Sequence, residues 1–201
     1  MGEIVNEADL ESLLDRDAIF RRILESYGPP PNWAREAGFV SLCRIILEQQ
    51  VSLESANAHF KKLEGYLGGL DPEGLLALSD AELRACQISR QKAAYLRALA
   101  AAVTEGSLAL EELANLGDDE VRQRLVAIKG IGNWTADIYL MFCLQRKDLF
   151  PAGDIAVMGA ARELCRAATR EEVLKRSEGW KPLRTLAAYF LWHYYLRSRN
   201  R

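Results

Sequence analysis

A chain of 201 residues, 49% apolar and 27% charged, has room for one ordinary domain or two small ones and enough apolar content for a real core, which excludes a disordered tail or a fibrous repeat. It has no run of eighteen apolar residues, which excludes a membrane-spanning helix, and its acidic start is unlike a signal or transit peptide. The net charge of −2 hides an asymmetry: residues 121–201 carry 15 Lys+Arg against 7 Asp+Glu, a net of +8, whereas residues 1–120 carry −10, so one face is expected to meet a polyanion.

Strand-like alternation is nearly absent and apolar residues recur at three-and-four spacing, so the expected fold class is all-α. A first helix is expected over 17–27. "YGPPPNW" (27–33) then breaks the chain, because consecutive prolines exclude helix. Helices follow at 36–49 and 52–67, at 72–78 with Asp71 before Pro72, and at 80–85 with the capping box Ser79-x-x-Glu82. "SRQKAAYLRALAAAV" sets Ala93, Leu96, Leu99, Ala100 and Val103 on one stripe and predicts a helix over 89–104. Helices at 118–126 and 133–145 flank "KGIG". A second break at "LFPAGD" (149–154) leads into helices at 154–167, 170–177 and 181–197, the last with Leu183, Leu186, Ala187, Phe190, Leu191 and Tyr194 on one face. No internal repeat or low-complexity tract stands out. Met1–Gly2 followed by Val5 and Asn6 makes a poor myristoylation site. Cys43, Cys86, Cys143 and Cys165 lack metal-type spacing and only His59 and His193 could join them, so buried thiols are expected rather than a metal cluster.

The segment "AIKGIGNWTAD" (127–137) carries the strongest local signal. Glycine is poor inside a helix, so Gly130 and Gly132 mark a tight connection between two helices. With Leu125, Ile128 and Ala136 they form L-x-x-I-x-G-x-G-x-x-x-A. Small residues let a ligand approach the backbone, and the first amides of the following helix sit at the positive end of its dipole. That suits a phosphate oxygen, with Lys129 and the Thr135 hydroxyl placed to help. An ordinary tight turn is the plain alternative. The absence of a preceding strand excludes a dinucleotide-binding fold and favours a helix-hairpin-helix that grips a DNA backbone without reading sequence.

"LVAIKGIGNWTADIYLMFCLQRKDLFPAGDIAVMGAARELC" (125–165) resembles the helix-hairpin-helix (HhH-GPD) DNA glycosylase superfamily, whose signature joins this hairpin to a Gly/Pro-rich loop and an aspartate. "IILEQQVS" (45–52), "ISRQKAAYLRALAAAVTEG" (88–106) and "WKPLRTLAAYFLWH" (180–193) extend the resemblance over most of the chain from residue 40. The branch it is most similar to is 3-methyladenine DNA glycosylase II, in a compact form without that branch's N-terminal β domain. The resemblance implies a helical barrel lobe over 33–148 holding the hairpin (about 118–145), and a second helical lobe from 1–32 with 149–201. A cleft between them would bring Asp154 opposite the hairpin.

The resemblance implies a monofunctional base excision enzyme that flips an alkylated purine, such as 3-methyladenine, out of double-stranded DNA and hydrolyses its N-glycosidic bond. Members that also cut the backbone carry a lysine where this chain has Trp134, and the four-cysteine iron–sulfur run of the endonuclease III branch is absent here. Asp154 is the expected catalytic carboxylate, because breaking the bond builds positive charge on the sugar. Locally, "PAGDIAVMGAA" reads equally well as a helix cap, and both roles can coexist. Asp137 is the rival acid, explained by a polar partner or the helix dipole. Trp134 is expected in the base pocket, with Phe39, Trp180, Trp33 and Trp192 as further candidates, since an electron-rich ring attracts a cationic base. Gln50 matches the position that fills the gap left by the flipped nucleotide. Main-chain carbonyls of Val126, Ile128 and Ile131 are expected to hold a structural Na⁺ or K⁺, with no other cofactor required. The protein is expected to act as a monomer where DNA lies, in a cytoplasmic nucleoid or a nucleus, and away from membranes. A glycosylase/lyase, a non-catalytic DNA-binding module and a helical interaction protein are the alternatives.

Overall fold

The computed structural model describes residues 3–199, and among these every regular element is helical. Met1 and Gly2, the myristoylation candidates, lie outside the described residues. None of the described helices is long and apolar enough to cross a membrane. Cys43, Cys86 and Cys143 are buried and Cys165 is partly so.

The chain divides into two compact units. One takes the described residues through Ala34 together with those from Leu140 onward, and the other is Arg35–Tyr139. Against expected lobe limits of 33 and 148, the changeovers therefore fall at 34/35 and at 139/140, the latter inside a helix.

In the first unit, α1 (Glu7–Arg16) and α2 (Ala18–Tyr27) precede the proline hinge, and α10 (Ile155–Cys165), α11 (Arg170–Ser177) and α12 (Arg184–Ser198) complete the unit. α1 was not expected. Its apolar stripe is only Leu10, Leu13 and Leu14 among acidic and basic neighbours, and its start is fixed by Asn6, whose side chain accepts the Asp9 amide at 3.0 Å. α2 stops at Gly28, whose φ of 77° no β-carbon has to tolerate. α12 packs against α10 and α2, and its residues Thr185–Leu191 are all buried. A helix apolar on every side at this level is a core helix, not a surface one.

The second unit runs through α3 (Phe39–Glu48), α4 (Leu53–Leu67), α5 (Pro72–Ala77), α6 (Asp80–Ala85), α7 (Arg90–Thr104), a 3-10 turn (Leu110–Asn115) and α8 (Asp118–Val126) into α9 (Asn133–Phe142). α7 is the central piece, packed on α3, α5 and α6. The expected starts are present: Asp71 caps α5, and Ser79 and Glu82 form the reciprocal capping box of α6. Each such cap contributes about 1 kcal/mol.

One local repeat escaped the sequence reading. Three corners of this unit share one build: a residue at positive φ, an aliphatic residue, then the residue that starts a helix. They are Gln50–Val51–Ser52 before α4, Gln87–Ile88–Ser89 before α7, and Gly130–Ile131–Gly132 before α9, with φ of 57°, 64° and 93° at the first position. In each, the carbonyl of the third residue accepts the amide of a buried alanine four residues on: Ala56, Ala93 and Ala136. The small alanine leaves room for close packing at the first turn of each new helix.

Candidate active site

The hairpin owes its shape to packing inside its own unit. Gly130 has φ +93°, and a β-carbon built on it would stand 2.1 Å from Cγ of Tyr95. The glycine is therefore required twice, by its backbone conformation and by the α7 ring lying on it. Gly132 differs. It is exposed, and a β-carbon there would meet no heavy atom within 4 Å. Gly132 thus leaves the α9 N-terminus open to an approaching group, and the first amides of a helix have no partner within it. Lys129 is exposed beside it.

Thr135 is corrected. It is 2% exposed, and its Oγ1 accepts a hydrogen bond from Gln49 Nε2 at 3.0 Å, so it faces inward rather than toward a phosphate. The same Gln49 nitrogen donates to the Gly130 carbonyl at 2.9 Å. Sequence reasoning passed over Gln49 in favour of its neighbour. Gln50 is exposed and holds φ 57°, a left-handed conformation costly for a residue with a side chain. Trp134 is half-buried in the first turn of α9. Phe39 is 8% exposed and belongs to the core of this unit. Asp137, the rival acid, receives Arg122 Nη2 at 2.7 Å and ties α9 to α8. Burial pushes its pKa up and Arg122 only partly offsets this. That ion pair accounts for it structurally.

Of the three carbonyls expected to hold a cation, that of Ile128 also accepts the Ile131 amide at 3.0 Å, which leaves a second lone pair. The donor set, neutral main-chain oxygens only, fits a monovalent hard cation.

In the other unit, Asp154 opens α10. The turn before it is closed by its own amide, which donates to the Pro151 carbonyl at 2.8 Å. Its Oδ1 accepts two donors, the Val157 amide at 2.9 Å and Trp192 Nε1 at 3.1 Å. The carboxylate is thus a helix cap and a partner of an aromatic residue together, with 9% of the residue exposed.

Trp192 belongs to a ring cluster. Its centroid lies 5.3 Å from Phe142, 6.1 Å from Tyr189 and 6.3 Å from Trp33, while Trp33 stacks on Phe142 at 6.4 Å with 22° between planes. Trp33 and Trp192 are half-buried, and Trp192 joins the cluster to the carboxylate. Phe142 and Tyr189 were not anticipated. Tyr189 was legible as the i, i+3 partner of Trp192, whereas Phe142 was hidden in the unbroken apolar run "IYLMFCL".

Trp180 is also corrected. It is 1% exposed, its ring packs on Phe20 and Phe150 at 5.2 and 5.7 Å, and its Nε1 donates to Asp17 Oδ2 at 3.0 Å. This is a core position, with its one polar atom satisfied, and it has no face for a base.

A family model described as "HhH-GPD superfamily base excision DNA repair protein" matches residues 43–182, which include the hairpin, the loop and Asp154. The chain belongs to this superfamily. It is 33% identical to DNA-3-methyladenine glycosylase 1 of Schizosaccharomyces pombe over 178 residues, covering 85% of this chain and 78% of that one. Among solved structures, the S. pombe 3-methyladenine DNA glycosylase in complex with abasic DNA superposes with a TM-score of 0.83 at 32% identity, covering 92% of this chain and 95% of that one. A DNA-3-methyladenine glycosidase from Bacillus halodurans gives 0.79 at 29% identity, covering 98% and 93%. Both pairs agree with the all-α architecture of the superfamily described above.

Proposed function

We propose that this member of the superfamily is a monofunctional DNA glycosylase of base excision repair, which hydrolyses the N-glycosidic bond of alkylated purines of the 3-methyladenine type. The observation that carries the reading is the Asp154 carboxylate, hydrogen-bonded by Trp192 at the edge of an aromatic cluster. The names of the relatives support the substrate class.

Double-stranded DNA carrying the damaged base is the partner. Gly130, Gly132 and Lys129 grip its backbone, and Gln50 fills the gap in the stack. When bound, a Na⁺ or K⁺ on the Val126, Ile128 and Ile131 carbonyls supplies positive charge toward that backbone. A cationic alkylated purine out of the stack lies against the electron-rich rings of Trp192 and Trp33. As the bond to the base lengthens, its electrons leave with the base and positive charge grows on the sugar. Asp154, acceptor-only when ionised, stabilises that charge and takes the proton of the water that adds to the anomeric carbon. The products are a free base and an abasic site. No side-chain amine replaces Trp134 in the hairpin helix, which favours hydrolysis over a covalent lyase step.

Asp154→Asn tests the assignment. Asn keeps an oxygen for Val157 and Trp192, so the fold and DNA binding are expected to persist while base release falls about 100-fold or more. Release within a few-fold of wild type would remove Asp154 from the chemistry.

A further inference from the structure

Gln49 has no role in the mechanism above, yet its side chain makes two hydrogen bonds to the hairpin. It ends α3, and its single amide nitrogen bridges the Gly130 carbonyl at 2.9 Å and Thr135 Oγ1 at 3.0 Å, across more than eighty residues of sequence. The adjoining residue is Gln50, exposed and held at φ 57°. Two further contacts converge on this end of α3 and on the hairpin. Lys92 of α7 donates to the Leu47 carbonyl at 2.6 Å, and the Tyr95 ring covers Gly130. The residue that precedes Gln50 is thus tied directly to the hairpin.

We propose that Gln49 is a positioning residue that locks the DNA-gripping corner to the inserting Gln50, so that backbone capture and gap filling share one register. The inference rests on the glycosylase reading above. Without the Gln49 bridge, the hairpin still meets a phosphate and Gln50 still exists, but their separation is no longer fixed. Affinity for intact duplex, which needs only the hairpin, is then retained, and the extra affinity for a gapped stack is lost.

The test compares binding of wild type, Gln49→Met, Gln50→Ala and the double variant to an intact duplex and to one holding a tetrahydrofuran abasic analogue. A 2-aminopurine beside the gap reports insertion. Gln49→Met is expected to weaken abasic-duplex binding about 10-fold while changing intact-duplex binding less than about 2-fold, with a matching loss of the fluorescence change. The double variant is expected to be no weaker than Gln50→Ala alone, because both remove one interaction. Equal weakening on both duplexes, or losses that multiply in the double variant, would overturn the proposal. Should Gln49→Met not fold, Thr135→Val removes one of the two acceptors and is expected to move the abasic-to-intact ratio in the same direction; an unchanged ratio counts against it. If Gln50→Ala itself has no effect on the wild-type background, the glycosylase-site reading of Gln50 fails instead.

Discussion

Gly130→Ala puts a β-carbon where the structure has a tyrosine ring. The new atom would stand 2.1, 2.4 and 2.6 Å from Cγ, Cδ1 and Cβ of Tyr95, far inside a normal carbon–carbon contact of about 3.5–4.0 Å. Because Cβ of Tyr95 is among the atoms struck, a rotation of the ring does not relieve the clash, and α7 or the hairpin has to shift. Overpacking of this kind costs about 1–3 kcal/mol. Holding alanine at φ +93° adds about 1–2 kcal/mol. The total, about 2–5 kcal/mol, is to be read from urea unfolding, with the m-value unchanged if only the native state suffers. Made on a Tyr95→Ala background, the same substitution loses the contacts with Cγ and Cδ1 but keeps the one at 2.6 Å with Cβ, so it is expected to cost less than in the wild type and still more than the backbone part of about 1–2 kcal/mol. Gly132→Ala is the control: nothing lies within 4 Å, so stability should change by less than about 1 kcal/mol while duplex affinity falls. A Gly130→Ala protein as stable as wild type, or one that loses as much with Tyr95 removed, would refute this account of the hairpin.

Two other outcomes follow from the same contacts. Trp192→Phe keeps a ring in the cluster but removes the donor to Asp154; base release is expected to fall about 10-fold with melting temperature changed little, measured by single-turnover kinetics. Asp17 is a structural carboxylate whose burial would raise its pKa, but hydrogen bonds from Arg176 and Trp180 outweigh this and hold it below the ordinary value. A group depressed in the folded state stabilises above its unfolded pKa of about 4 and loses that contribution as pH falls through the folded value. The stability gap between wild type and Asp17→Asn, followed by denaturant titration from pH 7 to pH 3, should therefore shrink toward acid.

Most helices were legible because their stripes and caps are local. Asp71, Ser79 and Ser89 each cap the helix that follows them. α9 ends at Phe142, short of the expected 145, because Gln145 turns back and donates to the Met141 and Phe142 carbonyls. The hairpin could be read from glycine spacing and the Asp154 cap from the local pattern before α10, whereas a catalytic role for Asp154 was implied only by the family resemblance. What could not be read was which face a residue shows. Thr135 and Gln49 look equally polar in sequence, and only the fold makes one the acceptor of the other. Trp180 and Trp192 sit in the same motif, yet the buried partner Asp17 makes the first a core residue, whereas Asp154 makes the second a neighbour of the candidate chemistry. Long-range partners decide such cases, and local spacing carries no trace of them.

If the Asp154 carboxylate beside its aromatic cluster releases cationic purines by hydrolysis alone, the products are free bases and abasic strands. Chromatography of bases freed from methylated duplex DNA, run with and without borohydride, tests it most directly. Free methylated purines, 3-methyladenine foremost, are expected to be released, with intact abasic strands and no protein–DNA adduct. Absence of any released base, or a borohydride-trapped covalent complex, would contradict it.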